Sequence, residues 1–514
     1  MKTVLKARTM KEWDSYTICD VEIPSPVLME RAALAVADEV CRILGNKKGR
    51  VYVLCGPGNN GGDGYACARI LHMRGVSSYI IFTGKREHMT EETRRQAGIC
   101  SRLGVPVLEN DDGAAIMRSQ SLTDMDVIVD AIFGIGLSRT VTGGTAQLIK
   151  AVNVSPAAVA AIDIPSGINA DTGQIMGTAV RADVTVTMQC IKPGLILYPG
   201  AACAGRTVTA DLGITGPGNA ETEMKLIEKS DLADLLPLRD PSGNKGTFGK
   251  LLVIAGSEGM AGAAVMCAEA AVRSGCGMVK VMTPYENRDI LMRILPEVML
   301  APWKDSDEAE TVLHDALLWC DAVVCGPGMG MSPVTEKIVS ELLSDFTGKT
   351  VLDADGLNIL KGDIEKLKDS GADIVVTPHV GEMSRLSGTP VPEIKADAVS
   401  AALSFSGESG TVCVLKDART VTAVPDGRVF FSVSGNCGMG TAGSGDVLAG
   451  IMGSLMAQGM DPAEAAAAAV TLHGAAGDEA AAARGMRAMT ARDITAGLEN
   501  VFEALFPEER GGYM

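Results

Sequence analysis

Four residues, Gly443-Ser444-Gly445-Asp446, stand directly before the apolar run Val447-Leu448-Ala449-Gly450-Ile451-Met452. That run has helical spacing, stops at Gly459 and gives way to a second helix that starts at Pro462. A glycine-rich turn feeding a helix leaves backbone N–H groups unpaired. Together with the helix dipole they make a place for an anion, most often a phosphate. Asp446 stands at the mouth of that place. A carboxylate beside a phosphate is repelled unless it has a task, and the task open to it is taking a proton from an attacking hydroxyl. The same four residues also fit a plain helix start with Asp446 as its cap.

A second set of chemically capable residues lies in the first half of the chain. The buried strand Val51-Tyr52-Val53-Leu54-Cys55 runs into Gly56-Pro57-Gly58-Asn59-Asn60-Gly61-Gly62-Asp63-Gly64, and a helix is expected from Tyr65 to Arg74. Asp130 closes the strand from Val127 and precedes Ala131-Ile132-Phe133-Gly134-Ile135-Gly136; Asp163 closes the strand from Ala158 and precedes Ile164-Pro165-Ser166-Gly167. Gly56, Gly58 and Gly61 formally satisfy the dinucleotide fingerprint G-x-G-x-x-G. Two asparagines and an aspartate fill that loop, however, and Thr83-Gly84-Lys85 follows the second strand where a ribose-binding acid is expected. A polar loop facing two further strand-end acids reads as a catalytic crevice. The alternative is acids and glycines that merely cap helices.

The elements that must position these residues form two α/β series. In the first, an amphipathic helix from Pro26 to Leu44 precedes strands at 51–55, 78–82, 127–130, 158–163 and 184–187. Strands alternating with helices imply a parallel sheet covered on both faces, with ligands beyond the carboxyl ends of the strands. The segment GITGPGNAETEMK, from Gly213 to Lys225, reads as a linker. A new series then opens with Lys250 to Ala255 and continues through strands at 278–282, 322–325, 350–353, 374–377 and 412–415. No G-x-x-x-x-G-K-[ST] occurs, which argues against a P-loop nucleotidase.

Composition narrows the class. At 514 residues the chain suggests roughly two to four domains. Hydrophobic residues at 46% and charged ones at 21% mark a globular chain with large cores. The 46 basic against 63 acidic residues give −17, which argues against nucleic acid or an anionic membrane as partner. Thirteen cysteines occur singly, without a CxxC pair, as expected of thiols in a reduced cytosol. No apolar signal core or membrane-length run is present in the sequence, and a cytoplasmic protein is expected.

The motifs carry a resemblance. The turn ending in Asp446 resembles that of the ribokinase-like superfamily, with its anion hole and catalytic aspartate. GSEGMAGAA (Gly256–Ala264), GPGMG (Gly326–Gly330), DADGLN (Asp353–Asn358), TPHVGEMSRL (Thr377–Leu386) and KDART (Lys416–Thr420) look like one of its branches, the nucleotide-dependent NAD(P)H-hydrate dehydratases. The first half is similar to the NAD(P)H-hydrate epimerases through NNGGDG, DAIFGIGLSRT, DIPSG and Lys192-Pro193-Gly194. The resemblance implies a Rossmann-like three-layer α/β/α epimerase domain over residues 1–215 and a ribokinase-like α/β dehydratase domain over 222–510. That is the order of the bacterial bifunctional repair enzymes. In the dehydratase, Asp446 would take the proton of the ring hydroxyl. Lys416, Asp417, Ala418, Arg419, Thr420 and Gly445 would contact the nucleotide, and Ala263, Gly328, His379 and Asp446 the hydrate.

In the epimerase, Asn60, Asp130 and Ser166 would bind a potassium ion, and Asp163 is the candidate acid/base. Asn59, Asn60, Gly61, Gly62, Asp63, Gly134, Ile135, Gly136, Leu137, Ser138, Arg139, Thr140 and Asp163 would contact the hydrate. The implied substrates are hydrated NADH and NADPH with ADP, the implied ions K⁺ and Mg²⁺, and a homo-oligomer is expected. His379 without its motif reads as a satisfied loop histidine. Cys437 and Gly440 stand where the family commonly has alanine, and KDART replaces a K-G start, so Asp417 brings a negative charge toward a nucleotide. ADP versus ATP is not readable from any one residue. A rival reading is an ATP-dependent kinase of a small vitamin-precursor alcohol.

Overall fold

The computed structural model describes residues 1–108, 113–217, 224–360 and 362–510. The chain divides into two compact units, Lys2–Thr222 and Glu223–Met514. Part of the expected linker, residues 218–223, lies outside the described residues; Met224 and Lys225, assigned to it from sequence, begin a strand.

In the first unit the strands are β1 (Val51–Cys55), β2 (Ser78–Phe82), β3 (Val107–Leu108), β4 (Val127–Ala131), β5 (Ala158–Ile162), β6 (Val184–Met188) and β7 (Arg206–Ala210). They lie in the order β3-β2-β1-β4-β5-β6-β7, and every neighbouring pair is parallel. Alternate residues of β1 explain its unbroken apolar run. Val51, Val53 and Cys55 pack on one face with Ala33, Val36 and Ala37, while Tyr52 and Leu54 pack on the other with Leu148 and Ile149. A strand buried on both faces can spare no position for a polar side chain. The chain leaves β1 in one direction and β4 in the other, so a crevice opens beyond their carboxyl ends. Three helices border it: α1 (Ala7–Cys19), α2 (Ser25–Leu44) and α3 (Asn59–Met73).

Helix α3 corrects the sequence expectation, which left NNGGDG as a loop and started the helix at Tyr65. Local propensity argues for a loop, but packing decides otherwise. A Cβ on Gly61 would lie 1.9 Å from the carbonyl oxygen of Gly56. Only glycine lets the first turn of α3 close down on the end of β1.

The second unit has β8 (Met224–Ile227), β9 (Lys250–Ile254), β10 (Met278–Pro284), β11 (Met299–Trp303), β12 (Ala322–Cys325), β13 (Lys349–Leu352), β14 (Asp373–Val376), β15 (Val412–Leu415), β16 (Val421–Ala423) and β17 (Val429–Ser432). Their order is β8-β17-β16-β15-β14-β13-β12-β9-β10-β11. The sheet is parallel except at β16, which runs antiparallel to β15 and β17. Lys416 to Thr420 is the hairpin connection that this reversal creates. Helices α4 (Ala261–Arg273), α5 (Val380–Ser387), α6 (Ser444–Ala457) and α7 (Pro462–Arg484) carry the remaining motifs. Every residue of α6 from Val447 to Ala457 is buried, so its first turn is fixed from behind by the core.

No helix among the described residues is long and apolar enough to cross a membrane. Of the cysteines only Cys19 and Cys437 are exposed; Cys41 and Cys320 are half-buried and the others buried.

Candidate functional sites

In the first unit, the crevice beyond β1 and β4 holds a cleft of about 670 Å³. Of the residues expected to contact the hydrate, Asn59, Asn60, Asp63, Gly134, Ile135, Gly136, Leu137, Ser138, Arg139 and Asp163 line it. Gly61, Gly62 and Thr140 do not. Gly61 faces the carbonyl of Gly56, Gly62 faces Met29 and Thr93, and the methyl of Thr140 packs against Gly177. These three serve close packing of the cleft wall.

Asn60 at the cleft wall is joined in one network with the buried Asp130 and Ser166 behind it. Ser166 donates to Asp130 twice, from its amide at 2.7 Å and its hydroxyl at 2.6 Å. The Ser166 hydroxyl in turn accepts from the amide of Phe133 at 2.8 Å, and Asn60 Nδ2 donates to the Phe133 carbonyl at 3.0 Å. Asp130 is completely buried. Burial pushes its carboxyl up to about 6, with the Ser166 bonds pulling the other way. The donor set is all oxygen, with one carboxylate, and no basic side chain contributes to the carboxyl's surroundings. A cation would fit such a place.

Asp163 follows β5 in a left-handed conformation, φ 67°, which is costly for a residue with a Cβ and common at functional positions. Its Oδ1 accepts from Lys192 Nζ at 2.5 Å and from the Met188 amide at 3.3 Å. Lys192 was quoted in a sequence motif but given no role. Its partner is remote in sequence, and periodicity cannot reveal a pairing across two strands.

In the second unit, Gly443 caps α6 with φ 90°. A Cβ there would lie 2.4 Å from Met266 Sδ of α4. Behind it the Ser444 amide donates to the Thr441 carbonyl at 3.3 Å, while those of Gly445 and Asp446 have no preceding turn to bond. Asp446 occupies that turn, and burial pushes its carboxyl up to about 7. The carboxylates of Asp353 and Asp355 add to the effect, and Lys416 opposes it. Lys416 Nζ donates to Asp353 Oδ1 at 2.6 Å, and the Thr377 hydroxyl donates to the same oxygen at 2.7 Å. A Cβ on Gly445 would lie 3.5 Å from Lys416 Nζ and 3.7 Å from Asp353 Oδ2. The ion pair therefore rests against the anion turn itself.

A cleft of about 490 Å³ runs outward from this turn. Lys416, Asp417, Ala418, Arg419, Thr420 and Gly445 all line it, together with His379, Cys437 and His473. His473 is buried, its ring held neutral by burial with its value lowered to about 4, and Nε2 lies 3.3 Å from the Ser444 hydroxyl. His379 is the N-cap of α5: its Nδ1 accepts from the amides of Gly381 and Glu382 at 2.9 and 3.3 Å. The satisfied-loop reading thus holds for Nδ1; the ring proton falls to Nε2, which lies 3.5 Å from Glu382 Oε1 with the ring exposed at the cleft. Ala263 and Gly328 do not line this cleft; they meet each other, a Cβ on Gly328 lying 2.7 Å from Ala263 Cβ. Asp353, Glu382 and His473 were missed as site residues. Asp353 and Glu382 lay inside quoted motifs; His473 sits in an alanine-rich helix that gave no signal.

Two family models match the chain. One, described as NAD(P)H-hydrate dehydratase, covers residues 251–500, and one described as YjeF-related protein N-terminus covers residues 25–194. The bifunctional NAD(P)H-hydrate repair enzyme of Moorella thermoacetica is 38% identical, over 96% of this chain and 95% of its own length. Its counterpart from Escherichia coli is 36% identical, over 92% of this chain and 89% of its own. Among solved structures, a ribokinase-like superfamily protein from Enterococcus faecalis matches 56% of this chain and 99% of its own, with a TM-score of 0.50 and 26% identity.

Proposed function

The chain belongs to the family of bifunctional NAD(P)H-hydrate repair enzymes, and from that premise we propose that it returns hydrated NADH and NADPH to the working cofactors. The first unit interconverts the two epimers of the hydrate at carbon 6 of the ring. The second dehydrates one of them at the expense of ADP, giving AMP and phosphate. The observation that carries this reading is Asp446, poised near neutrality against a glycine anion turn and beside the Lys416–Asp353 pair.

Hydroxide is a poor leaving group, and phosphorylation converts the ring hydroxyl into a good one. Asp446 takes the hydroxyl proton as the phosphoryl group arrives. The amides of Gly445 and its neighbours, with Lys416, hold the charge that develops on the transferring group. Asp353 keeps the Lys416 ammonium at the turn. The ring nitrogen's lone pair then expels phosphate and restores the double bond. Ala263, Gly328 and the Nε2–H of His379 contact the hydrate, and the hairpin from Lys416 to Thr420 contacts the nucleotide. Mg²⁺ would enter on the phosphates of ADP and supply charge neutralisation there.

In the first unit, Asn60, Asp130 and Ser166 would hold K⁺, whose charge would offset that of the buried Asp130 carboxylate and of the hydrate's phosphates. Thirteen cysteines without a disulfide suit a cytoplasmic place. The alternative of a vitamin-precursor kinase is not favoured by relatives that are repair enzymes along nearly the whole chain.

The decisive assay mixes the protein with hydrated NADH and either ADP or ATP and follows the return of NADH absorbance. Recovery of both epimers with ADP, with release of inorganic phosphate, is expected. A stable phosphoester as product would refute the reading. The same assay in potassium-free buffer is expected to leave one epimer unconsumed.

A further inference from the structure

The cleft of the first unit shares Asp14, Asp63 and Asp163 with a smaller cavity of about 140 Å³, to which Leu28, Met29 and Ile214 add apolar surface and Lys192 a buried charge. Lys192 is completely buried. Its ammonium donates to Asp163 Oδ1 at 2.5 Å, Thr187 Oγ1 at 3.0 Å and the Met188 carbonyl at 2.9 Å. An ammonium has three donors and no acceptor, so none is left for a ligand. Lys192 therefore acts through Asp163, as a positioning residue that holds a carboxylate with Oδ2 still open to accept. A proton acceptor in a buried ion pair cannot also be the proton donor of the same step. Asp63 lines the same cavity from the first turns of α3. Burial, then the charges of Asp163 and Asp14, push its carboxyl well above the usual range, which is the state of a proton donor.

We propose that this cavity takes the hydrated nicotinamide ring, and that Asp163 and Asp63 are respectively the base and the acid that open it. The proposal rests on the reading of this unit as the epimerase. Asp163 takes the proton of the carbon-6 hydroxyl. The O–H electron pair becomes the second bond of a C=O group, the bond from carbon 6 to the ring nitrogen breaks, and the nitrogen takes its proton from Asp63. The product is an open-chain aldehyde with its oxygen retained. Rotation about the adjacent carbon–carbon bond turns the other face of the carbonyl toward the nitrogen. The nitrogen then attacks it, returns its proton to Asp63, and the oxygen regains the proton from Asp163. Protons and electrons balance without any oxidant or added water.

The test uses the full chain with hydrated NADH, K⁺ and no nucleotide, following the two epimers by proton NMR. Asp63→Asn is expected to slow interconversion at least a hundredfold while the hydrate still binds. Asp63→Glu, which restores a donor, is expected to recover at least tenfold of that loss. The wild-type rate should fall at alkaline pH as Asp63 loses its proton, in surroundings that also include Asp14 and Lys11 of α1, Asp163 and Lys192. In water enriched in ¹⁸O, the new epimer should form without gaining the label. An Asp63→Asn protein within threefold of wild type, an Asp63→Glu protein as slow as Asp63→Asn, or full ¹⁸O incorporation, as loss and return of water would give, would each overturn the assignment. A wild-type protein that interconverts nothing would bring down the epimerase reading itself.

Discussion

A base must be deprotonated to act, and burial holds the Asp446 carboxyl at about 7. Dehydration should therefore rise with pH through about 7 and level off above it. Asp446→Asn keeps the size of the side chain and removes the base, so turnover should fall by about 10²–10⁴-fold and the pH limb should vanish, while ADP binding measured by calorimetry persists. The same shift has a second reading. The carboxyl titrates at 3.8 in the open chain and about 7 when folded, so the native state holds the extra proton between those values. Its contribution to stability is full below about 4 and is lost as pH rises through about 7. Asp446→Asn should then melt higher than wild type at pH 8 and not at pH 4. A variant less stable and equally active would show a structural cap instead. Asp446 was legible in the sequence because its neighbours are adjacent in the chain. The Asp353–Lys416 pair that sets its surroundings joins positions on different strands, and no local pattern announces it.

At the scale of elements, the anion turn depends on α6 being pressed against α4. Gly443 at φ 90° has the sulfur of Met266 where a methyl would go, at 2.4 Å. Gly443→Ala should cost about 1–3 kcal/mol from overpacking alone, read as a lower denaturant midpoint, and should weaken nucleotide binding more than it weakens epimerisation. Equal loss of both activities would show general unfolding. The elements themselves were unevenly legible. β1 and β12 read clearly, because strands buried on both faces are continuous apolar runs. The short strands β3, β16 and β17 did not, since runs of two, three and four residues carry too little pattern beside the turns that flank them. The first turn of α3 was misread because asparagine and glycine favour loops, and only the close approach of Gly61 to Gly56 makes a helix of them.

At the scale of the whole chain, each compact unit carries its own set of candidate site residues, so each should work alone. A polypeptide of residues 1–222 is expected to interconvert the epimers without nucleotide, and one of 223–514 to dehydrate a single epimer. Insolubility of both would count against the division. A net charge of −17 also means that anionic substrates are held by local groups against a repelling background, and added salt should lower KM by screening it. One feature of the core offers a use quite apart from catalysis. Burial leaves only Cys19 and Cys437 exposed, one in each unit, and Cys437 lines the nucleotide cleft. Brief treatment with a maleimide dye should mark those two thiols ahead of the rest, and ADP should shield Cys437 alone. The unmutated chain thus carries its own gauge of nucleotide occupancy: the ratio of label on Cys437 to label on Cys19 should fall as ADP fills the cleft, and titrating that ratio reads nucleotide affinity without any turnover.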